Sequence, residues 1–141
     1  MPTLTVRGDV APGVLPDTMV AELIDGELFA SPRPAGPHTL ASSALGATLL
    51  FPYQFGRGGP GGWWILDEPE LHLQHGILVP DIAGWRRERM PEVPKNHVFS
   101  IVPDWVCEIV SPSTTRLDRM KKVPIYDREG VAWGWIVDPE Q

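Results

Sequence analysis

Cysteine is nearly absent: Cys107 is the one cysteine in 141 residues. No disulfide can therefore close within the chain, and a reducing compartment with the thiol as a small core group is the expectation. Long apolar runs are missing too, none approaching the ~18 residues of a membrane span. The opening Met1-Pro2-Thr3-Leu4-Thr5-Val6-Arg7-Gly8-Asp9 lacks the charged-then-apolar order of a secretory leader, so a cytoplasmic protein without a membrane partner is expected. Nor is there a surplus of positive charge. Lys and Arg number 12 against 18 Asp and Glu, a formal net charge of -6, which argues against a protein that coats nucleic acid through general phosphate neutralisation. The Gly-rich stretch Gly56-Arg57-Gly58-Gly59-Pro60-Gly61-Gly62 is not followed by Gly-Lys-Ser or Gly-Lys-Thr and does not read as a phosphate-cradling loop. Cys-x-x-Cys is absent, and His72 and His75 would point to opposite faces of a strand, so a zinc site has no support.

What is abundant is punctuation. Sixteen Pro and 14 Gly, with 43% apolar residues and six Trp, describe a globular chain of many short elements rather than a helical bundle. Residues 1–15 read as an irregular arm with a brief helical turn beginning at Pro16-Asp17-Thr18-Met19, and residues 16–141 as a single domain. Ala21 to Ala30 alternates on both sides of Asp25-Gly26 and reads as a β-hairpin. A helix is expected from His38 towards Phe55, ending near Pro52. Strands are expected over Trp63–Leu66, Leu71–Leu73, Ile77–Trp85, Trp105–Val110 and Val131–Val137, with a loop over Met90–Pro103. A helix starting from the hydroxyl-rich Ser111-Pro112-Ser113-Thr114 is expected to run to Arg128 and end at Gly130.

Two carboxylates break this pattern. Asp81 lies in the apolar run Leu78-Val79-Pro80-Asp81-Ile82-Ala83, and Glu108 in Trp105-Val106-Cys107-Glu108-Ile109-Val110. A buried carboxylate is costly unless paired, hydrogen-bonded or bound to a metal, so two of them in core-type strands point to a site. On adjacent strands they can share one side, and Asp118, Lys122 and Tyr126 follow at i, i+4 and i+8 on one helical face. Acidic oxygens beside a Lys are what a metal-dependent phosphodiesterase needs. The same residue types also describe a strand-end Pro-Asp and a surface ion pair, so spacing leaves both readings open. Basic residues follow each carboxylate strand: Arg86, Arg87 and Arg89, then Arg116, Arg119, Lys121 and Lys122. They read either as phosphate contacts, Arg86, Arg87, Arg116 and Arg119 first, or as solvated charges at element ends.

The ordered series Glu22-Leu23-Ile24-Asp25-Gly26-Glu27-Leu28, Ser31-Pro32, His38, Val79-Pro80-Asp81, Glu108-Ile109-Val110-Ser111-Pro112-Ser113-Thr114, Asp118, Lys122, Tyr126, Gly130-Val131 and Trp135-Ile136-Val137-Asp138-Pro139 resembles the Uma2 family of the PD-(D/E)xK nuclease superfamily. The resemblance implies an α/β (α+β) restriction-endonuclease-like core: a mixed central β-sheet flanked by helices, with an N-terminal hairpin. It implies Asp81 and Glu108 as ligands of Mg²⁺ or Mn²⁺, with the Ile109 carbonyl as a third. The superfamily's Lys two residues after the Glu is replaced here by Val110, and Lys122 inherits that role. Glu22, His38, Asp118 and Tyr126 are supporting candidates. Two departures bear on these expectations: Pro124 falls just after Lys122 and would kink a helix interior, and the resemblance implies further strands beyond the Trp-Ile-Val-Asp-Pro block.

The activity implied is metal-dependent endonucleolytic hydrolysis of phosphodiester bonds, in DNA, by catalytic Asp81, Glu108 and Lys122; homodimers are common among enzymes that cut both strands. Two other classes fit the residues as well, a catalytically inactive nuclease-like binding or accessory module and a hydrolase of a small phosphorylated substrate.

Overall fold

The structure is a computed structural model and describes residues 4–7, 19–33, 35–111 and 118–140, with the backbone alone at 4–7, 118 and 119. Alternation around Asp25-Gly26 builds the hairpin: β2 (Met19–Ile24) and β3 (Glu27–Pro32) pair antiparallel from Ile24↔Glu27 out to Met19↔Pro32. Asp25 and Gly26 both take positive φ, 50° and 79°, the backbone that a tight two-residue hairpin turn demands and that Asp-Gly accepts. β1 (Leu4–Arg7) pairs with β3 on its other side. The stretch expected to be an irregular arm thus supplies a strand, because the outer edge of β3 carries backbone groups that need partners. The helical turn expected from Pro16 falls outside the described residues except for Met19, which opens β2.

Ile77 to Trp85 is two strands rather than one. β6 (Gly76–Leu78) pairs with β2 and with β5 (Glu70–Leu73), whereas β7 (Ile82–Arg86) pairs with β4 (Trp63–Asp67) and β9 (Trp105–Ile109). Pro80 is the cause: it lacks the N–H a ladder requires and fixes its own φ. The chain leaves one sheet at Val79 and enters the other at Ile82. A short strand, β8 (Val98–Phe99), lies inside the expected loop and runs parallel to β5, and β10 (Trp133–Val137) runs parallel to β9. The strands divide into two mixed sheets, ordered β1-β3-β2-β6-β5-β8 and β10-β9-β7-β4.

α1 (Gly36–Leu49) continues into a π-helical turn, Leu50–Gln54, that absorbs Pro52 instead of stopping before it; the wider turn accommodates a residue that cannot donate to the preceding turn. Lys122 closes a second π-helical turn, Asp118–Lys122, and α2 (Val123–Glu129) follows. Residues 112–117, where the start of that helix is expected, lie outside the described set. Pro124 sits in the first turn of α2, directly after the π-helical turn Asp118–Lys122, whose wider backbone accommodates a residue that cannot donate to the preceding turn, as at Pro52. Gly130 ends α2 at φ 85°, donating to the carbonyls of Tyr126 and Asp127.

Alternation along β7 and β9 feeds two apolar clusters. Ala83, Trp85 and Val106 meet Ile24, Leu71 and Leu78 of the six-stranded sheet, with Ile125 and Tyr126 of α2 in the same core. Ile82, Trp105, Cys107 and Ile109 face the other way, onto Ala41, Leu45 and Leu49 of α1. Among the described residues no helix is long and apolar enough to cross a membrane.

Candidate active site

Glu108 is the even-numbered neighbour of Cys107 and Ile109 on β9, so its side chain enters the core between the sheets, where it is buried. Its Oε1 lies 2.6 Å from Lys122 Nζ. Tyr126, one turn further along, donates its hydroxyl proton to the same oxygen at 2.6 Å. Lys122 is 2% exposed and also meets Glu22 Oε2 at 2.7 Å, and it donates to the carbonyl of Val79 at 3.3 Å. That Glu22 oxygen in turn accepts the Val79 N–H at 2.9 Å. One ammonium therefore stands between two carboxylates, one from each sheet, beside the crossing segment that joins the sheets.

Asp81 is at the end of that segment. Register pairs Ile82 with Cys107 and Ala83 with Val106, which sets Asp81 beside Glu108 where β7 begins. Its Oδ2 accepts the Ile109 N–H at 2.6 Å, and its Oδ1 lies 3.0 Å from Nε2 of His38, in the first turn of α1. Cys107 reports both carboxylates: burial first, then the charges of Asp81 and Glu108, push its thiol up to about 12. It is a neutral core group at pH 7, not a nucleophile. Burial, then the charge of Glu108, likewise drives the Tyr126 phenol well above its ordinary value, so the hydroxyl remains a donor.

The residues singled out from the sequence thus separate into groups. Glu22, Glu108, Lys122 and Tyr126 share one network, while Asp81, His38 and the backbone of Ile109 form a second beside it. The side chains of Asp118, Arg116 and Arg119 lie outside the described residues. Arg87 donates to the carbonyls of Gln54 and Trp63 at 2.8 and 3.2 Å and stacks 4.1 Å over Trp64. Its guanidinium clamps β4 and the π-helical turn after α1. Arg86 reaches a different surface, between the rings of Trp63 and Trp133.

Sequence reasoning missed the crossing segment as a structural part of the site. It also gave Glu22 only as a supporting candidate, without a partner. The signal was parity: Glu22 shares its strand face with Ile24, which is fully in the core.

The chemistry of the donors fits a hard divalent cation. Asp81 and Glu108 are neighbouring carboxylates and the Ile109 carbonyl belongs to the same strand as Glu108. Among the described residues no three His, Cys, Asp or Glu side chains converge as a closed cage; Mg²⁺ needs none, since it commonly uses one or two carboxylates and takes its remaining oxygens from water and substrate.

The family model of Uma2, described as "Putative restriction endonuclease", matches residues 14–141. A crystal structure of a "putative nuclease belonging to DUF820" from Anabaena variabilis superposes with a TM-score of 0.76 at 26% identity, over 89% of this chain and 70% of that one. No curated protein matches.

Proposed function

Since this chain belongs to the Uma2 family, we propose that it is a nuclease, dependent on Mg²⁺ or Mn²⁺ and hydrolysing phosphodiester bonds in DNA. The observation that carries this reading is the buried Lys122 ammonium, 2.6 Å from Glu108 and 2.7 Å from Glu22, with Asp81 set beside Glu108 by the strand register. Asp81, Glu108 and the Ile109 carbonyl would hold the cation, which supplies neutralisation of phosphate charge and a lowered pKa for a nucleophilic water. Lys122 contributes its positive charge beside the phosphate, where negative charge builds up in the transition state, with its three N–H groups held by Glu22, Glu108 and the Val79 carbonyl. Glu22 and Glu108 hold that ammonium in place without rearrangement during the reaction. Tyr126 and Lys122 share one Glu108 oxygen and so fix the carboxylate plane. His38 and the Ile109 N–H, one on each oxygen, fix Asp81.

The experiment is cleavage of plasmid DNA with Mn²⁺ by wild type, Asp81→Asn and Glu108→Gln. Each variant should lose at least about a hundredfold in rate, wild-type cleavage should stop with EDTA and return with Mn²⁺, and circular dichroism should report an intact fold. Full cleavage by either variant contradicts the assignment. No cleavage by the wild type, together with no calorimetric heat on Mn²⁺ addition, replaces it with a non-catalytic binding module.

A further inference from the structure

α1 is apolar on two opposite sides. On the inner side Ala41, Leu45 and Leu49 pack on the four-stranded sheet, and His38 reaches Asp81. On the outer side Leu40, Ala44, Ala47 and, in the π-helical turn that follows, Phe51 recur at intervals of four, three and four residues, which sets them on one line along the helix. All four are exposed, Leu40 by 72% and Phe51 by 51%. Phe55, 57% exposed, extends the line with its ring edge-on to that of Phe51 at 5.9 Å. A surface helix ordinarily turns charged residues to water, and one that is apolar all round belongs in an interior. Residues 34–56 contain no Asp, Glu, Lys or Arg at all.

We propose that this outer side of α1 docks on the same side of a second copy of the chain, the two helices running antiparallel about a two-fold axis. The inference goes beyond the nuclease reading and does not rest on it. Three observations select a second copy as the occupant. First, the line of side chains is its own complement. Its spacing is the same read in either direction, and its sizes run large, small, small, large. A two-fold axis passing between residues 45 and 46 therefore sets Leu40 of each copy against Phe51 of the other, and Ala44 against Ala47. The central alanines let the helix axes approach to about 8 Å, close enough for the flanking large side chains to enter the opposite grooves. Second, each copy carries a net charge of -6, so approach costs least where neither surface bears an acidic group. The same lack of charge gives a different protein nothing to recognise electrostatically, and an anionic lipid surface no Lys or Arg to hold. Third, the area suffices for a reversible dimer. At these exposures Leu40 and the two phenyl rings leave roughly 300 Å² of apolar surface, the scale of patches that mark interaction sites. With Ala44, Ala47 and the flanking Ser43 and Thr48 included, two copies bury on the order of 1,000 Å², the size of a weak, concentration-dependent interface.

The test is sedimentation velocity of the full chain between about 1 and 300 µM. Wild type should pass from monomer to dimer across this range. Ala44→Glu sets a carboxylate against the apolar surface of the other copy and should raise the dimer Kd at least about tenfold. Ala44→Glu combined with Ala47→Glu should be monomeric throughout. Ala44→Glu combined with Ala47→Lys should bring the dimer back, because the two-fold axis sets each introduced carboxylate against an introduced ammonium. Parallel docking would oppose like charges and give no such recovery. Both positions are exposed, and Glu and Lys are good helix formers, so the variants are expected to fold, which circular dichroism checks. A wild type that is monomeric at every concentration overturns the proposal. So does a dimer that Ala44→Glu leaves unchanged, or one that the Ala44→Glu, Ala47→Lys variant does not restore. A monomeric wild type that co-sediments with vesicles of phosphatidylcholine and phosphatidylglycerol overturns it as well, and assigns the face to a lipid surface.

Discussion

Lys122 is the residue on which the site's electrostatics turn. A buried ammonium contacting Glu108 and Glu22 at 2.6 and 2.7 Å satisfies both carboxylates, and removing it strands two negative charges away from water. Lys122→Met should therefore lower stability by about 3–5 kcal/mol, measured by urea unfolding. Adding Glu22→Gln to that variant should recover part of the loss, since one uncompensated charge disappears. Wild-type stability in Lys122→Met would mean that the carboxylates are not held by this ammonium. The neighbouring arginines show how far one residue type can diverge. Arg87 has its donors committed to two carbonyls of the local fold, while the next residue toward the N-terminus, Arg86, lies on the aromatic face. Strand parity separates them, and two consecutive arginines in the sequence look equivalent until that parity is known.

At the scale of elements, the decisive feature is the pair β6 and β7 with Val79-Pro80-Asp81 between them. β6 is only three residues long and is held against β2 by close backbone approach at Gly76, where a Cβ would come within 2.3 Å of the Leu23 carbonyl oxygen. Gly76→Ala must push β6 away from β2 and with it the Val79 backbone that Glu22 and Lys122 grip; a cost of about 1–3 kcal/mol is expected from thermal unfolding. Gly46, inside α1, is the control, because a methyl group there would meet nothing within 4 Å. Gly46→Ala should be neutral or stabilising by about 0.5–1 kcal/mol through reduced backbone entropy. Equal behaviour of the two variants would show that the β2–β6 contact is not tight. The hairpin at Asp25-Gly26 and the end of α2 at Gly130 were legible because local turn chemistry dictates them. The division of Ile77–Trp85 was not: Pro80 signals an interruption, but which sheet each half joins depends on strands distant in sequence.

For the whole molecule, two sheets close on one core and the site sits at their junction, with Glu22 from one sheet, Glu108 and Asp81 from the other, and Lys122 and Tyr126 from the chain around α2. The charge balance of -6 works against binding driven by phosphate neutralisation. If about two arginines meet phosphates, the slope of log K against log salt for duplex DNA should be about -1.8. Anisotropy titrations across a salt series measure it, and a slope several times steeper would mean that a larger basic surface carries the binding.

The order of residues along the chain is enough to identify the chemical groups and their local settings. Asp81 and Glu108 stand out because carboxylates are costly in apolar strands, Lys122 and Tyr126 share a helical face, and turns fall where Asp-Gly and Gly130 accept positive φ. Tertiary structure alone decided that Glu22 pairs with Lys122, that His38 meets Asp81, that residues read as an arm pair with β3, and that Arg86 lies between Trp63 and Trp133. These are contacts between segments far apart in the chain. They follow from strand order, register and parity, which burial of the two apolar faces selects collectively and no local pattern of residues encodes.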